Sequence, residues 1–342
     1  MAGKFKIHKS FEERKKAHRN TNRKIGWGEG VTEGIPFSLT LLKPSFLGTW
    51  ASFALLYLLV NLLPYRCIVG LGKFLGGFLM RFVKGRRYIV QTNLKLCFPD
   101  KDDKWYADLE KRIFQSAGVA LFETGIAWFW PDWRIKRLLI VDEQELAKAK
   151  ELAASDARII AFTCHMTTLE IGARLYPLAI KPGIGVYRSS DHPVLEYLQV
   201  KGRLRSNLAL VDRMDVRSMV KAVMKGYPIW YAPDQDYGTN SAVFVPFFAV
   251  DQAATVTGLH DLARIKGVKV QPFWLIREKN GYRFRVLEPI DNFPTDDEVA
   301  DTRRGNEYVE QMILSAPDQY LWMHRRFKSC PEGVPSRYPE IE

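Results

Sequence analysis

The chain has 342 residues, is 47% apolar and carries Trp 9, Tyr 14 and Phe 20, which suffices for a full-sized core and excludes a disordered chain. A formal charge of +12 favours anionic partners: nucleic acid, an anionic membrane surface, a phosphorylated substrate or an acidic carrier protein. Cys67, Cys97, Cys164 and Cys330 are scattered, with neither CxxC zinc spacing nor a disulfide framework, and suit a reducing compartment.

Residues 1–45 form a basic arm, with ten Lys/Arg against four Glu. Phe46 to Tyr65 (FLGTWASFALLYLLVNLLPY) then runs for twenty residues without a charge. That length crosses a bilayer, and it is too long and too far from Met1 for a secretory signal. It reads as a retained membrane anchor. Basic residues crowd both flanks, so the positive-inside bias selects no orientation. A shallow insertion with both ends cytosolic and a helix buried in the protein's own core both stay open. A second apolar run, Cys67 to Val83, contains Lys73, Arg81 and several glycines, and reads as an interfacial or packed helix. Its Gly70-x-Gly72 lacks the strand context of a dinucleotide fingerprint.

Residues 86–135 read as helical, amphipathic at first and then nearly all apolar. From residue 156 short apolar strands alternate with helices. The strands are expected at Arg158–Thr163, Ile184–Tyr187, Leu208–Val211, Ile229–Ala232 and Val268–Ile276, and the helices at 167–178, 192–206, 216–225 and 255–266. A strand from Gly281 pairs with 268–276 as a hairpin across Lys279-Asn280-Gly281, and a helix over 296–315 follows. The pattern predicts an α/β fold, a mainly parallel or mixed sheet sandwiched by helices, with the N-terminal hydrophobic anchor helix appended. The expected organisation is arm 1–45, anchor and interfacial helix 46–85, and α/β domain 86–342.

One segment stands out chemically. Arg158-Ile-Ile-Ala-Phe-Thr-Cys-His165-Met-Thr-Thr-Leu-Glu170 is a strand ending on a histidine, followed by a helix with a glutamate in its early turns. Open α/β sheets place their chemistry at such strand ends. A histidine there can take a proton from a hydroxyl, and a carboxylate can orient its ring. The spacing alone discriminates little, since His8 and Glu13 repeat it inside the arm. The strand before His165 and the Thr167/Thr168 helix start after it set it apart. In the plainer reading His165 ends a strand while Glu170 pairs with Arg174 along the helix. Cys164 points away from its neighbour on a strand, which argues against a Cys-His nucleophile pair.

Other polar residues fall at strand or helix ends. Asp234 follows Pro228-Ile-Trp-Tyr-Ala-Pro233, and Arg188 follows Ile184–Tyr187. Arg203 and Arg205 close the next helix. Arginine grips phosphate or carboxylate with a bidentate fork, but the last two also suit a helix C-terminus, and Asp234 also suits a turn cap.

The blocks QTNLKLCFPD (91–100), CHMTTLEIGAR (164–174), GIGVYR (183–188), KGRLRSNLALVDR (201–213), WYAPDQDYG (230–238), VFVPFFAVDQAATVTG (243–258) and PDQYLWMHRRFKSCPEGVPSRY (317–338) carry a family resemblance. The chain resembles the late acyltransferases of lipid A biosynthesis, a branch of the lysophospholipid acyltransferase superfamily marked by His-x4-Asp/Glu, and looks nearest to the lauroyl-transferring branch. The resemblance implies an enzyme at the cytoplasmic face of the bacterial inner membrane. It implies transfer of a fatty acyl chain from acyl-carrier protein to a hydroxyl on a 3-hydroxyacyl chain of Kdo2-lipid IVA, with no metal, cofactor or covalent intermediate. His165, Glu170, Arg203 and Asp234 inherit functional roles. His165 is expected to deprotonate the acceptor, with Glu170 holding the tautomer. Arg203, together with Arg188, is expected to hold phosphate or steady an oxyanion, and Asp234 to orient Arg203 or a substrate group. The charge surplus suits the carrier protein, the phosphorylated glycolipid and an anionic membrane surface; no nucleic-acid motif is present. The rival readings are a lysophosphatidic acid acyltransferase, a thioesterase and a membrane-tethered anionic-lipid binding module.

Overall fold

A computed structural model describes residues 30–339; most of the basic arm, with His8 and Glu13, lies outside the described residues. The described part of the arm contributes β1 (Val31–Thr32) and two 3-10 turns at Leu39–Leu42 and Pro44–Phe46. The uncharged run forms α1 (Leu47–Leu62) and breaks at Leu63-Pro64, where proline prevents the helix from continuing. Pro44–Leu62 is long and apolar enough to cross a membrane, and little of it is buried in the protein.

The next run forms α2 (Tyr65–Leu79), followed by α3 (Lys84–Cys97), α4 (Asp103–Phe129) and α5 (Asp132–Lys136). Asp102 caps α4, its carboxylate accepting from the Trp105 amide at 2.7 Å. The glycines of α2 serve helix packing. A Cβ on Gly72 would lie 2.6 Å from Val119 Cα of α4, and one on Gly76 would collide with the Phe114 carbonyl. Small residues let two backbones approach this closely, the arrangement common where helices cross in lipid.

An eight-stranded sheet carries the rest, in the order β1-β5-β4-β6-β3-β9-β10-β2. Its strands are β2 (Leu139–Val141), β3 (Arg158–Phe162), β4 (Ile184–Tyr187), β5 (Ala209–Asp212), β6 (Ile229–Tyr231), β9 (Val268–Glu278) and β10 (Gly281–Val286), with β1 on the edge. Pairings are parallel from β5 through β4, β6 and β3 to β9, and also between β10 and β2. The β9–β10 hairpin and β1 on β5 are antiparallel. Helices α6 (Glu143–Ala154), α7 (Leu169–Ala179), α8 (Pro193–Arg203), α9 (Val216–Met224), α10 (Gly258–Ala263) and α11 (Glu298–Ser315) cover both faces. Alternation along β3 divides the core: Ile160 and Phe162 join one apolar cluster and Ala161 the other. The expected mixed sheet with helices on both faces is the observed architecture.

One expected element is shortened. The helix anticipated at 255–266 is confined to Gly258–Ala263, because the residues before it form β8 (Val250–Val256), paired with β7 (Ala242–Phe247) in a separate hairpin. The Phe248 backbone has φ 50° in the connecting turn. The hairpin is held from a distance: Arg326 donates to the Ala254 carbonyl at 2.6 Å and to Thr255 Oγ1 at 2.7 Å. Local composition carries no trace of such contacts.

Two glycine substitutions in α2 test the close crossing. Gly76→Ala is expected to cost about 1–3 kcal/mol through overpacking. Gly70→Ala, whose Cβ meets nothing within 4 Å, is expected to leave stability unchanged or raise it by up to about 1 kcal/mol. Thermal unfolding of the detergent-solubilised protein checks both.

Candidate active site

The site forms where two parallel neighbours end. β3 and β6 are in register, Phe162 opposite Tyr231, and the Thr163 amide extends the ladder to the Tyr231 carbonyl at 3.0 Å. The chain leaves both strands at the same level, which brings His165 beside Asp234. The His165 amide donates to Asp234 Oδ2 at 3.0 Å, and ring Nδ1 lies 2.8 Å from Oδ1. A carboxylate accepts only, so Nδ1 carries the proton and Nε2 of the neutral ring holds the lone pair. Nε2 makes no hydrogen bond among the described residues, and the side chain is 22% exposed while that of Asp234 is fully covered. Burial pushes the Asp234 carboxyl up, but the electrostatic interaction with His165 and the hydrogen bonds from its ring and amide outweigh it and hold the group below the usual carboxylate range.

Glu170 does not hold the histidine. It stands in the first turn of α7, and its carboxylate is gripped by Arg203, with Nε at 3.2 and 3.3 Å and Nη2 closer still. Trp128 Nε1 donates to the same carboxylate at 2.9 Å. Burial opposes its ionisation, and Arg203 and the indole more than compensate, so Glu170 is held below its ordinary range. The expected tautomer-holding role therefore passes to Asp234 on geometric grounds. Nor does Glu170 pair with Arg174, which is bonded to Asp132 and Ser206 instead. Arg203, the last residue of α8, reaches Glu170 because Gly202 packs against the Trp128 ring with no room for a Cβ. Asp234 does not touch Arg203. Arg188 is not among the partners of His165, Glu170, Arg203 or Asp234; its Nη2 lies 3.8 Å from Asp191. Arg205 donates to the Trp130 carbonyl at 3.0 Å.

The start of α7 is fixed to the sheet. Thr168 donates to the Leu275 carbonyl of β9 at 2.8 Å rather than capping the helix. Thr167 Oγ1 accepts from Arg277 at 3.2 Å, and Arg277 is locked to buried Glu123 by two bonds of 2.6 and 2.5 Å. Cys164 is fully buried; burial, and then Asp234, push its thiol well up and keep it protonated. It is no nucleophile.

A segment near the C-terminus closes the rim. The Leu321 amide donates to the His165 carbonyl at 3.0 Å, and Met166 bridges to Tyr320. Asn93 of α3 holds that segment, donating to the Trp322 and His324 carbonyls at 2.8 Å each. His324 Nε2 accepts from the Asp236 amide at 3.3 Å, so its neutral ring is protonated on Nδ1. Burial lowers His324 to about 4, with Asp234 opposing. Trp128, Arg277, Asn93 and His324 all escape a reading by sequence pattern. The quoted blocks contain Asn93 and His324, but no local signal says what they touch.

His324 gives a pH-dependent stability of defined sign. Unfolded, it takes up a proton near pH 6.5; folded, it resists until about 4. The unfolded state thus binds more protons between these values, and stability falls as pH drops from 6.5 towards 4, by on the order of 3 kcal/mol. His324→Gln, which keeps an acceptor for Asp236, is expected to flatten this slope in unfolding midpoints taken across that range.

Known proteins share this chain's sequence over most of its length. The family profile "Bacterial lipid A biosynthesis acyltransferase" matches residues 35–329. A lipid A biosynthesis lauroyltransferase of Escherichia coli (strain K12) is 46% identical over 304 residues, covering 88% of this chain and 98% of that protein. A lipid A biosynthesis palmitoleoyltransferase of the same organism is 37% identical over the same shares. A lipid A biosynthesis acyltransferase of Haemophilus influenzae is 40% identical over 313 residues, 90% of this chain and 99% of that protein. This acyltransferase therefore belongs to the bacterial lipid A biosynthesis acyltransferase family.

Proposed function

We propose that the chain transfers a fatty acyl group, lauroyl by likeness to its Escherichia coli relative, from acyl-carrier protein to a hydroxyl of a 3-hydroxyacyl chain on Kdo2-lipid IVA. Its place is the cytoplasmic face of the bacterial inner membrane, attached to the anionic membrane surface. The observation that carries the chemistry is the His165–Asp234 pair, which leaves Nε2 unbonded and partly open at the strand ends.

In this reading Nε2 takes the proton of the acceptor hydroxyl as its oxygen attacks the thioester carbonyl. Asp234 stabilises the imidazolium that forms. The C–S bond breaks, and the proton on Nε2 passes to the departing thiolate, which leaves an ester and a free carrier thiol. Glu170 acts as a positioning residue. It occupies two of the donor groups of Arg203 and fixes the guanidinium, while Nη1 makes no hydrogen bond among the described residues. That nitrogen is the donor for a substrate phosphate or the developing oxyanion. The +12 balance suits the acidic carrier and the phosphorylated acceptor.

The test is acyl transfer from lauroyl-carrier protein to Kdo2-lipid IVA, read as a heavier lipid product. His165→Ala is expected to lower kcat by roughly 10²–10⁴-fold, the usual worth of a general base. Full transfer by this variant sinks the mechanism. The two carboxylates are expected to separate kinetically. Asp234→Asn lowers kcat by at least about 10²-fold through the wrong tautomer. Glu170→Gln raises KM for the lipid about tenfold, with the pH dependence of kcat unmoved; a shifted pH profile in Glu170→Gln returns the orienting role to that residue.

A further inference from the structure

α1 touches the α/β body along its whole length. At its start the Thr49 hydroxyl lies 3.2 Å from His192 Nε2, and Phe46 sits edge-on to the same ring. Midway, Phe53 stacks on Trp128 with centroids 5.9 Å apart. At its end the Trp130 indole donates to the Val60 carbonyl at 2.8 Å, and beyond the Pro64 break Arg66 donates to Asn280 in the β9–β10 turn. The packed positions 49, 53, 56 and 60 recur at helical spacing. The opposite face is a leucine row: Leu47, Leu55, Leu58 and Leu62 are 59, 57, 51 and 77% exposed.

Sixteen residues rise roughly 24 Å, most of a hydrocarbon core of about 30 Å. If α1 stood across the membrane, the body fastened to both its ends would be drawn into the core with it. That body includes Arg134, bonded to Asn61, and the charged Asp132 beside it, and lipid strongly opposes such groups. A helix lying in the interface meets no such opposition, and its leucine row faces hydrocarbon. α2 and the turn after it offer a second apolar feature, a ladder of Phe74, Phe78 and Phe82 with successive rings 6.4 and 5.3 Å apart. Exposed Arg81, Lys84 and Arg86 flank its last ring and suit anionic headgroups.

We propose that the protein is monotopic: α1 lies in the membrane plane, its leucine row and the α2 phenylalanine ladder enter one leaflet, and both ends of α1 stay on the same side. The proposal rests on the membrane attachment advanced above. Its test places Lys43→Cys or Asp156→Cys, one before α1 and one in the α/β body, in a Cys67→Ser/Cys330→Ser chain. Both thiols are expected to react with a membrane-impermeant maleimide in inverted membrane vesicles and neither in intact spheroplasts; labelling from opposite sides overturns the proposal. Nitroxides at positions 47, 55, 58 and 62, in vesicles containing phosphatidylglycerol, are expected to report equal depth by oxygen against nickel-chelate collision. A depth maximum at the middle positions also overturns it. Full access of all four to the nickel chelate overturns both the topology and the attachment, while acyl transfer in detergent tests the chemistry separately.

Discussion

Two hydrogen bonds between His165 and Asp234, one through the backbone amide and one through the ring, form the constraint on which the rest of the site is arranged. They join residues 69 apart in sequence, and only parallel register between β3 and β6 makes that possible. Because the carboxylate is buried, its charge is expensive unless satisfied, and the His165 ring and backbone amide satisfy it. The same bonds fix which imidazole nitrogen is left for chemistry. The closing segment from residue 317 then bonds the His165 carbonyl and follows the geometry already set.

Much of this frame is legible in the sequence, because β3, β4 and β6 are short, apolar and bounded by breakers, and each end carries a polar residue worth noticing. His165, Glu170, Arg203 and Asp234 all stand out, but their pairing does not. A His-x4-Glu spacing suggests a pair because the two residues are near in sequence, whereas the strand end and the first turn of α7 send the side chains to different neighbours. Glu170 meets α8 and α4; Asp234, the long-range residue, meets the ring. The β7–β8 hairpin escapes for a similar reason. Ala253 and Ala254 favour helix locally, and pairing with Val245 and Phe244 of β7, held by Arg326 from about seventy residues away, overrides that preference. Trp128, an apolar residue in an apolar helix, gives no sign of its hydrogen bond.

Two arginine–carboxylate pairs illustrate a division of labour around His165. Arg277–Glu123 is almost wholly buried and tied to Ser116, Thr167 and Gln319, so it sets the start of α7 from beneath. Arg203–Glu170 is partly open, with about a fifth of each side chain exposed. A buried pair of this kind contributes orientation more than net stability; an open one with a spare donor can still receive a ligand. The structure thus separates a buried pair that shapes the loop from a partly open pair that keeps a spare donor.

Trp128 links the Glu170–Arg203 pair to α1. One edge of its indole donates to Glu170, its ring stacks on Phe53 of α1, and Gly202 of α8 closes over it. α8 makes the same connection by another route: His192 at its N-cap contacts Thr49, and Arg203 at its other end holds Glu170. Two side chains, Phe53 and Trp128, thus run in series from the packed face of α1 to the Glu170–Arg203 pair. Through these two routes the seating of α1 on the body bears directly on the geometry of the Glu170–Arg203 pair.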